Sequence, residues 1–326
     1  MNIRTGVGAA LPLVGALLAA PAVAGDSAHD WLVKMDQAGR RLNYEGAFVY
    51  QHGDRLEAMR IVHKVANGSV RERLVALNGA AREIIRTERE VLCYLPDENS
   101  VVVEHRKADS LGFPAIRPER LPELEKYYQM RLGKTGRVAG RPAQVVIILA
   151  RDGYRYGYRL WADQETGLPL KADLLADDEK TIEQFMFAHI NIGVAIPASA
   201  LAPSTPGKGL TWHRERAVED SAAATQPERW QAGRLPEGFR LSKRLVRKVP
   251  ALNKVVEHLV YSDGLATVSV FIEKPEPGAR PEMLGPSRMG AVHAFGARVN
   301  DHHVTAVGEV PAATVALIGG SMAPLE

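Results

Sequence analysis

The chain has 326 residues, of which 46% are hydrophobic and 24% are charged, and its formal net charge is +3. This length suits about two domains, and the composition is that of a folded globular protein and not of a disordered chain. Because the opposite charges nearly balance, recognition of a partner through bulk charge is disfavoured, which leaves only a local charged patch to consider.

The first residues have the pattern of an export signal. Arg4 precedes an apolar run at 7–20, and Ala22-Val23-Ala24 supplies the small residues of a cleavage site. We therefore predict a signal peptide at 1–24 and a soluble, exported mature chain. An uncleaved anchor is the alternative, disfavoured because the run is shorter than the ~20 residues that span a bilayer.

The single cysteine, Cys93, excludes an intramolecular disulfide. It lies in the apolar run 91–95, which predicts a buried structural thiol, with a reactive or intermolecular thiol as the alternative. Stability must then come from a packed core, which a chain of this length can supply.

In chain order, the first predicted element is a helix. Ser27 and Asp30 have the spacing of a capping box, and Trp31, Met35 and Leu42 fall on one helical face. Strands follow, separated by turn signals such as the hairpin sequence Asn67-Gly68. The predicted strands cover 44–51, 59–65, 70–77, 82–86 and 91–95.

A long loop is predicted at 96–118, a short helix at 119–127, and further strands at 128–132 and 144–150. The most regular stretch is 151–188, with strands at 155–161, 168–174 and 182–187. In the first of these, Tyr156 and Tyr158 lie on one face and Arg155 and Arg159 on the other, as in a half-buried strand. The short turns between these strands allow only antiparallel neighbours, so the stretch is a meander.

Together these elements predict a mainly β, α+β protein. Its first domain, 25–196, is a strongly curved antiparallel sheet of about ten strands with one or two helices. A sheet this large must curl or close, and curling produces a concave apolar surface.

Residues 197–227 are rich in Pro, Ala, Ser and Gly and predict a linker between two domains. A smaller α+β domain follows at 228–319, and a tail at 320–326. The predicted elements of this second domain are strands at 255–261, 265–272, 292–299 and 303–307, a loop at 275–290 and a closing helix at 311–318.

No enzymatic constellation is present: the sequence contains no nucleophile elbow, zinc-protease motif, phosphate-binding loop or dinucleotide fingerprint. No cofactor is predicted. His302 and His303 are adjacent, and since neighbouring strand residues point to opposite faces, solvated histidines are favoured over a metal site.

Aromatic residues on the predicted curved sheet are candidates for a lipid pocket. Most should be ordinary core, but those on a concave side would bury an acyl chain at roughly 0.8 kcal/mol per methylene. Sequence alone does not separate the two groups. The candidates are Phe48, Tyr50, Tyr94, Tyr156, Tyr158 and Trp161.

A second candidate site is a basic stretch at 229–254, which has eight basic residues and one acid, Glu237. Such density favours an acidic protein segment or lipid phosphates as a partner, with a plain solvated surface as the alternative. The export signal disfavours nucleic acid. The candidate patch is Arg240, Lys243, Arg244, Arg247 and Lys248.

Several stretches resemble the MucB/RseB family of periplasmic regulators of the sigma-E envelope-stress response. They are RERLVALNGAAREIIR, YYQMRLGKTGRVAGRPAQVVIILARDGYRYGYRLWADQETGLPLKADLL, LPEGF, YSDGLATVSVFIE and VTAVGEVP. The resemblance runs in order from the signal peptide to the last helix and covers nearly the whole chain. The stretch from Asp163 to Lys171 alone resembles the wider group of LolA-type half-barrels.

The resemblance implies an N-terminal LolA-like half-barrel that takes lipid and a smaller C-terminal regulatory domain. It implies binding to the periplasmic domain of an anti-sigma factor of RseA or MucA type, which shields that domain from the site-one protease. Lipopolysaccharide or another lipid signal would release it. The competing hypothesis is a LolA-type carrier of lipid or lipoprotein. Homo-oligomerisation is left open.

Overall fold

The structure, a computed structural model, describes residues 26–105, 116–205, 207–214, 229–249, 254–275 and 283–325. The predicted signal peptide lies outside the described residues, and so does the latter part of the predicted linker. Among the residues described, no helix has the length and apolar character needed to cross a membrane.

Helix α1, Ala28–Arg41, confirms the helix predicted from the capping-box spacing. The Ser27 hydroxyl accepts a hydrogen bond from the Asp30 amide, and the Asp30 carboxylate accepts one from the Ser27 amide. These bonds satisfy backbone donors that the first helical turn leaves without a partner. Trp31, Leu32 and Met35 form the buried face, which packs against the sheet.

The rest of the first domain is almost entirely strand, with a 3-10 turn at Pro118–Arg120 and helix α2, Leu121–Leu124. The strands are β1 (Tyr44–His52), β2 (Arg55–Ala66), β3 (Ser69–Ala76), β4 (Glu83–Arg86), β5 (Glu90–Leu95), β6 (Ser100–His105), β7 (Tyr128–Leu132), β8 (Gly136–Val138), β9 (Arg141–Ala150), β10 (Gly157–Asp163), β11 (Pro169–Leu175), β12 (Thr181–Ile192) and β13 (Thr211–Arg214).

These thirteen strands form one curled sheet in the order β13-β6-β5-β4-β3-β2-β1-β12-β11-β10-β9-β7, with β8 paired to β9. The predicted meander is confirmed, since β9 to β12 are successive antiparallel neighbours. The Asn67-Gly68 hairpin is confirmed as well: both residues have positive φ, as a type I′ turn requires.

Three local predictions were wrong. The loop predicted at 96–118 contains β6, because Val101 and Val103 are buried against β5. The predicted helix at 119–127 is only α2, since Tyr128 is fully buried in β7 and the chain must leave the helix before it. Part of the stretch predicted as linker forms β13, which pairs in parallel with β6.

The second domain contains a six-stranded sheet and helix α3, Ala312–Gly319, which packs on two of its strands. Two short outer strands form a separate pair, so part of the predicted tail belongs to the domain. The strands are β14 (Trp230–Ala232), β15 (Arg240–Val249), β16 (Lys254–Ser262), β17 (Thr267–Glu273), β18 (Gly285–Met289), β19 (Val292–Val299), β20 (His302–Gly308) and β21 (Met322–Pro324).

The order of the main sheet is β15-β16-β17-β20-β19-β18. The predicted loop at 275–290 was wrong in its last part, which is β18. The prediction of solvated histidines was also wrong. His302 and His303 are both 7% exposed; His302 packs edge-on against Trp230, and His303 bonds the Met283 carbonyl. Cys93 is only partly buried, and burial raises the pKa of its thiol.

The two domains meet at Arg155, whose side chain is completely buried. Its Nη1 lies 2.8 Å from Asp263 Oδ2 in the turn between β16 and β17, and its Nη2 donates to the Glu237 carbonyl at 2.7 Å. Asp152 bonds the same guanidinium, and the Tyr128 hydroxyl donates to Asp263 at 2.9 Å. The sequence pattern predicted that Arg155 lies on the strand face opposite Tyr156 and Tyr158. In the structure, residues of the second domain cover Arg155.

Three aromatic rings complete the surroundings of Arg155. The guanidinium carbon lies 5.0–5.5 Å from the ring centroids of Tyr127, Tyr128 and Phe239. Phe239 belongs to the second domain, so the arginine is held from both sides by charge, hydrogen bonds and aromatic faces.

Candidate ligand cavity in the half-barrel

The concave face of the sheet and helix α1 line an open cavity of about 730 Å³. This volume is within the usual range for sites that bind small molecules. Apolar side chains from α1 and from strands across the sheet make up most of its wall. They are Leu32, Met35, Phe48, Met59, Ile61, Leu74, Ile84, Val91, Ile116, Leu160, Leu168, Phe185 and Phe187.

Three phenylalanines form an aromatic cluster in this wall. The ring centroid of Phe48 lies 4.8 Å from that of Phe185 and 6.0 Å from that of Phe187. Neither Phe185 nor Phe187 was a predicted site residue. The sequence did contain a signal for them: positions i and i+2 of a strand share one face, so Phe185 and Phe187 of β12 lie on the same face. Because β12 pairs with β1, that face adjoins Phe48.

A polar group interrupts the apolar wall. His63 of β2 is 2% exposed, and its Nδ1 lies 2.9 Å from Glu72 Oε1 on β3. Glu72 Oε2 lies 3.5 Å from Arg86 Nη1 on β4. All three residues line the cavity, so charge and hydrogen-bonding capacity are present beside the apolar surface. Sequence reasoning missed this group, because its members lie on three successive strands.

The predicted lipid-pocket residues divide into two sets. Phe48 and Tyr50 line the cavity. Tyr156 and Tyr158 are instead packed in the core below α1, and Tyr94 packs edge-on against Trp212 with centroids 6.2 Å apart. The Lys171 ammonium nitrogen lies over the Trp161 ring, 4.3 Å from the ring centroid. The structure therefore does not gather the six aromatic residues into one site.

Tyr50 also connects the cavity wall to the second domain. Its hydroxyl donates to the buried carboxylate of Glu183, which accepts a second hydrogen bond from the Ala291 amide at 3.2 Å. Glu309, also from the second domain, shares a hydrogen bond with Glu183. Burial, followed by the Glu183 charge and this bond, raises the pKa of Glu309 to about 7.

The predicted basic patch lies on β15, an edge strand of the second sheet. Arg240 pairs with Glu123 of the first domain at 2.8 Å, and Arg244 pairs with Glu257 and donates to the Trp230 carbonyl. Arg240 and Arg244 are thus engaged within the protein. The backbones of Arg247 and Lys248 pair with β16, and their side chains lie outside the described part of the chain.

Fold and cavity together define a class: a two-domain, mainly β protein with an amphipathic cavity in its first domain. Among the described residues, no group of three or more His, Cys, Asp or Glu side chains is arranged to hold a metal ion.

Two family models match the chain. The one described as the MucB/RseB N-terminal domain covers residues 27–205, and the one described as the MucB/RseB C-terminal domain covers 224–323. The chain therefore belongs to the MucB/RseB family, and the resemblance carried by its sequence is confirmed.

Named relatives agree with this assignment. The sigma factor AlgU regulatory protein MucB of Pseudomonas aeruginosa is 35% identical over 324 residues, covering 96% of both chains. The sigma-E factor regulatory protein RseB of Escherichia coli K12 is 31% identical over 289 residues, covering 87% of this chain and 86% of its own. Both relatives are named as regulatory proteins.

Solved structures extend the similarity to three dimensions. The crystal structure of MucB in complex with MucA(peri) has a TM-score of 0.70 at 31% identity, covering 92% of this chain and 99% of that one. The crystal structure of MucB has a TM-score of 0.62 at 32% identity, covering 91% of this chain and 98% of that one.

Proposed function

We propose that this chain is a periplasmic regulatory protein that binds the periplasmic domain of an anti-sigma factor of RseA or MucA type. By occupying that domain it hides the segment that the site-one protease must reach, and so it keeps the sigma factor inactive. The observation that carries the proposal is the similarity to MucB in its complex with MucA(peri), which extends over both domains of the chain.

The cavity supports a second part of the proposal, in which lipopolysaccharide or another lipid signal releases the anti-sigma factor. An acyl chain placed among Phe48, Phe185, Phe187 and Leu74 would remove apolar surface from water, at roughly 0.8 kcal/mol per methylene. For release, the lipid must bind the free protein more tightly than the complex, and linkage then requires that the partner weaken lipid binding by the same factor.

The basic residues of β15 supply a third part, a surface for acidic or phosphate groups. Reversing the charge of Arg247 and Lys248 together should weaken partner or lipopolysaccharide binding about tenfold at low salt. The loss should shrink between about 50 and about 300 mM salt, because screening already weakens the interaction there. Arg244 is left intact, since its pairing with Glu257 gives it a structural role.

A cleavage assay tests the proposal as a whole. It combines residues 25–326 with the anti-sigma factor's periplasmic domain and the activated site-one protease, with and without lipopolysaccharide. We expect the chain to slow cleavage and lipopolysaccharide to restore it. A control replaces Leu74, in the cavity wall, with Trp, which should preserve protection but reduce its relief by lipid.

The remaining outcomes are equally informative. A folded chain that takes up lipid but never protects the anti-sigma domain would contradict the regulatory function and favour a LolA-type carrier. Protection that lipopolysaccharide does not relieve would retain the inhibitor and reject the lipid signal.

A further inference from the structure

The turn between β18 and β19 brings the second domain against the start of β12. Ala291 in this turn is 1% exposed and belongs to the same buried cluster as Trp31 of α1 and Tyr156. Its amide donates to Glu183 Oε1 at 3.2 Å. Gly290 beside it has a φ of +62°, and a Cβ there would lie 3.3 Å from the same oxygen, so glycine permits this close approach.

Two carboxyl groups meet in this contact, one from each domain. Glu183 is 6% exposed, and Glu309, which follows β20, shares a hydrogen bond with it. Because ionised carboxylates only accept hydrogen bonds, this bond exists only while one of the two carries a proton. Glu183 already accepts from the Tyr50 hydroxyl and the Ala291 amide, so the shared proton belongs to Glu309. Burial, followed by the Glu183 charge, accordingly raises the pKa of Glu309 to about 7.

Other titratable or charged groups surround the pair. From the first domain they are Tyr50 and His52 on β1, Glu57 on β2, Tyr156 just before β10, Tyr158 on β10 and Asp177 before β12, and from the second domain Arg288 on β18 and His293 on β19. Burial raises the pKa of the three tyrosines above the ordinary tyrosine value, so none of them ionises below pH 8. Arg288 Nε donates to the Gly290 carbonyl at 2.8 Å. Histidines as a class titrate near neutral pH, and the test separates them from Glu309.

We propose that this contact is a proton-operated latch between the two domains: it is closed while Glu309 is protonated, and loss of the proton releases the β18–β19 turn from Glu183. Ionised Glu309 brings two like charges together in a buried place, which is unfavourable unless the two groups separate. The Arg155 junction lies apart from these residues and keeps the domains attached, so the opening is local. Because Tyr50 lies in the cavity wall, the latch connects the second domain to the ligand cavity.

The opening has a direction in pH. The closed contact holds its proton with a pKa of about 7, whereas a released Glu309 in water returns toward the ordinary value of 4.5. The open fraction therefore rises with pH between these values and levels off above about 7. From pH 6 to pH 8 the equilibrium should shift about tenfold toward the open form. Neither lipid nor an anti-sigma factor is needed for this opening.

The test is hydrogen exchange of the Ala291 amide in residues 25–326 at pH 6 and pH 8, corrected for the intrinsic exchange rate and measured at single-residue resolution. We expect the protection of this amide to be about tenfold lower at pH 8. Glu309→Gln stays uncharged and keeps a donor for Glu183, so it should give equal protection at both pH values. His52→Gln is the matched control, because it removes a neighbouring titratable group and should keep the tenfold change.

Urea separates a local opening from unfolding of the whole chain. A local opening exposes little surface, so about 1 M urea should barely alter the protection of the Ala291 amide. The amide of Val146, which is fully buried in β9, reports on global unfolding and should lose protection in urea. Glu183→Gln is a second variant in case Glu309→Gln misfolds. It keeps an acceptor for Ala291 and Tyr50, removes the opposing charge and should lose most of the pH change.

Three results would overturn the latch. The first is a protection of the Ala291 amide that is the same at both pH values. The second is a pH change that survives in Glu309→Gln or Glu183→Gln, since the proton then belongs to another group such as His293. The third is a urea dependence equal to that of Val146, since the turn then opens only with the whole molecule.

Discussion

Two buried polar groups in this protein differ in how completely they are satisfied. At the domain junction, Arg155 and Asp263 have side chains of 0% exposure, and every direction around the guanidinium is occupied by a carboxylate, a carbonyl or an aromatic ring. In the cavity, His63 is held on one side by Glu72 and stacked by Tyr44, but its second nitrogen has no partner among the described residues.

The two groups also differ in which parts of the protein they connect. A buried charge that completes its interactions within the protein fixes the arrangement of the elements that supply them, here the two domains. The His63 group instead connects β2, β3 and β4, which are neighbours within a single sheet. Equal burial therefore does not imply an equal role.

The largest expected effect tests the junction. Arg155→Met removes the cation but leaves Asp263 buried, so we expect a loss of about 3–5 kcal/mol in the free energy of unfolding by chemical denaturation. Adding Asp263→Asn should restore about half, because asparagine keeps the oxygen that accepts from the Leu265 and Ala266 amides. Arg131→Met, on the exposed β7 position, should change stability by less than about 0.5 kcal/mol.

A second carboxylate–arginine pair lies within the smaller domain. Arg244→Gln should destabilise the protein by about 2 kcal/mol, because Glu257 is 5% exposed and would lose its charged partner. Lipid affinity should be unchanged, since neither residue is near the cavity. A large loss of lipid affinity with unaltered stability would show that Arg244 belongs to a binding surface.

The contact between Glu309 and Glu183 predicts that stability depends on pH. Burial and the neighbouring Glu183 raise the pKa of Glu309 from 4.5 to about 7. The folded state then holds a proton that the unfolded state releases, so stability falls as pH rises from about 4.5 to about 7 and stays reduced above that. Burial, followed for Tyr50 by its hydrogen bond with Glu183, raises the pKa of Tyr50 and Tyr156 above the ordinary tyrosine value, so neither titrates in this range.

Glu309→Gln removes this titration and keeps a donor for Glu183. We expect the variant to exceed the parent in free energy of unfolding by about 2 kcal/mol at pH 8, with the gap closing toward pH 4.5. Denaturation across this pH range measures the gap. A constant difference between the two proteins would refute the assignment of the proton to Glu309.

The smallest expected effect concerns the helix that forms one side of the cavity. Ser27→Ala removes the side-chain acceptor for the Asp30 amide and should cost about 1 kcal/mol. Because Leu32 and Met35 keep their positions in the cavity wall, acyl-chain affinity should change by less than about twofold. A greater loss would mean that the first turn of α1 contributes to the binding site.

Local sequence signals predicted much of the fold. The capping box at Ser27 located α1, and Asn67-Gly68 located a hairpin. The period-two alternation at 155–161 located β10, although that strand begins and ends two residues later. Each depends on residues close together in the chain, so no tertiary information is needed. Strands without such signals, including β6 and β18, were missed because only pairing with a neighbour reveals them.

The site was much less predictable. Alternation tells which side chains share a face, but in a curled sheet covered by a helix and a second domain either face becomes buried. Phe48 and Tyr50 therefore line the cavity, whereas Tyr156 and Tyr158, which look equivalent in sequence, are packed in the core.

By itself, then, the sequence determined the type and order of most elements, the mainly β class and the family, because these depend on local patterns and on extended similarity. Only the tertiary structure decided that Arg155 is buried at the junction and that His63, Glu72 and Arg86 meet in the cavity. Those groupings join residues from different strands or domains, and strand order, curl and domain contact fix their distances.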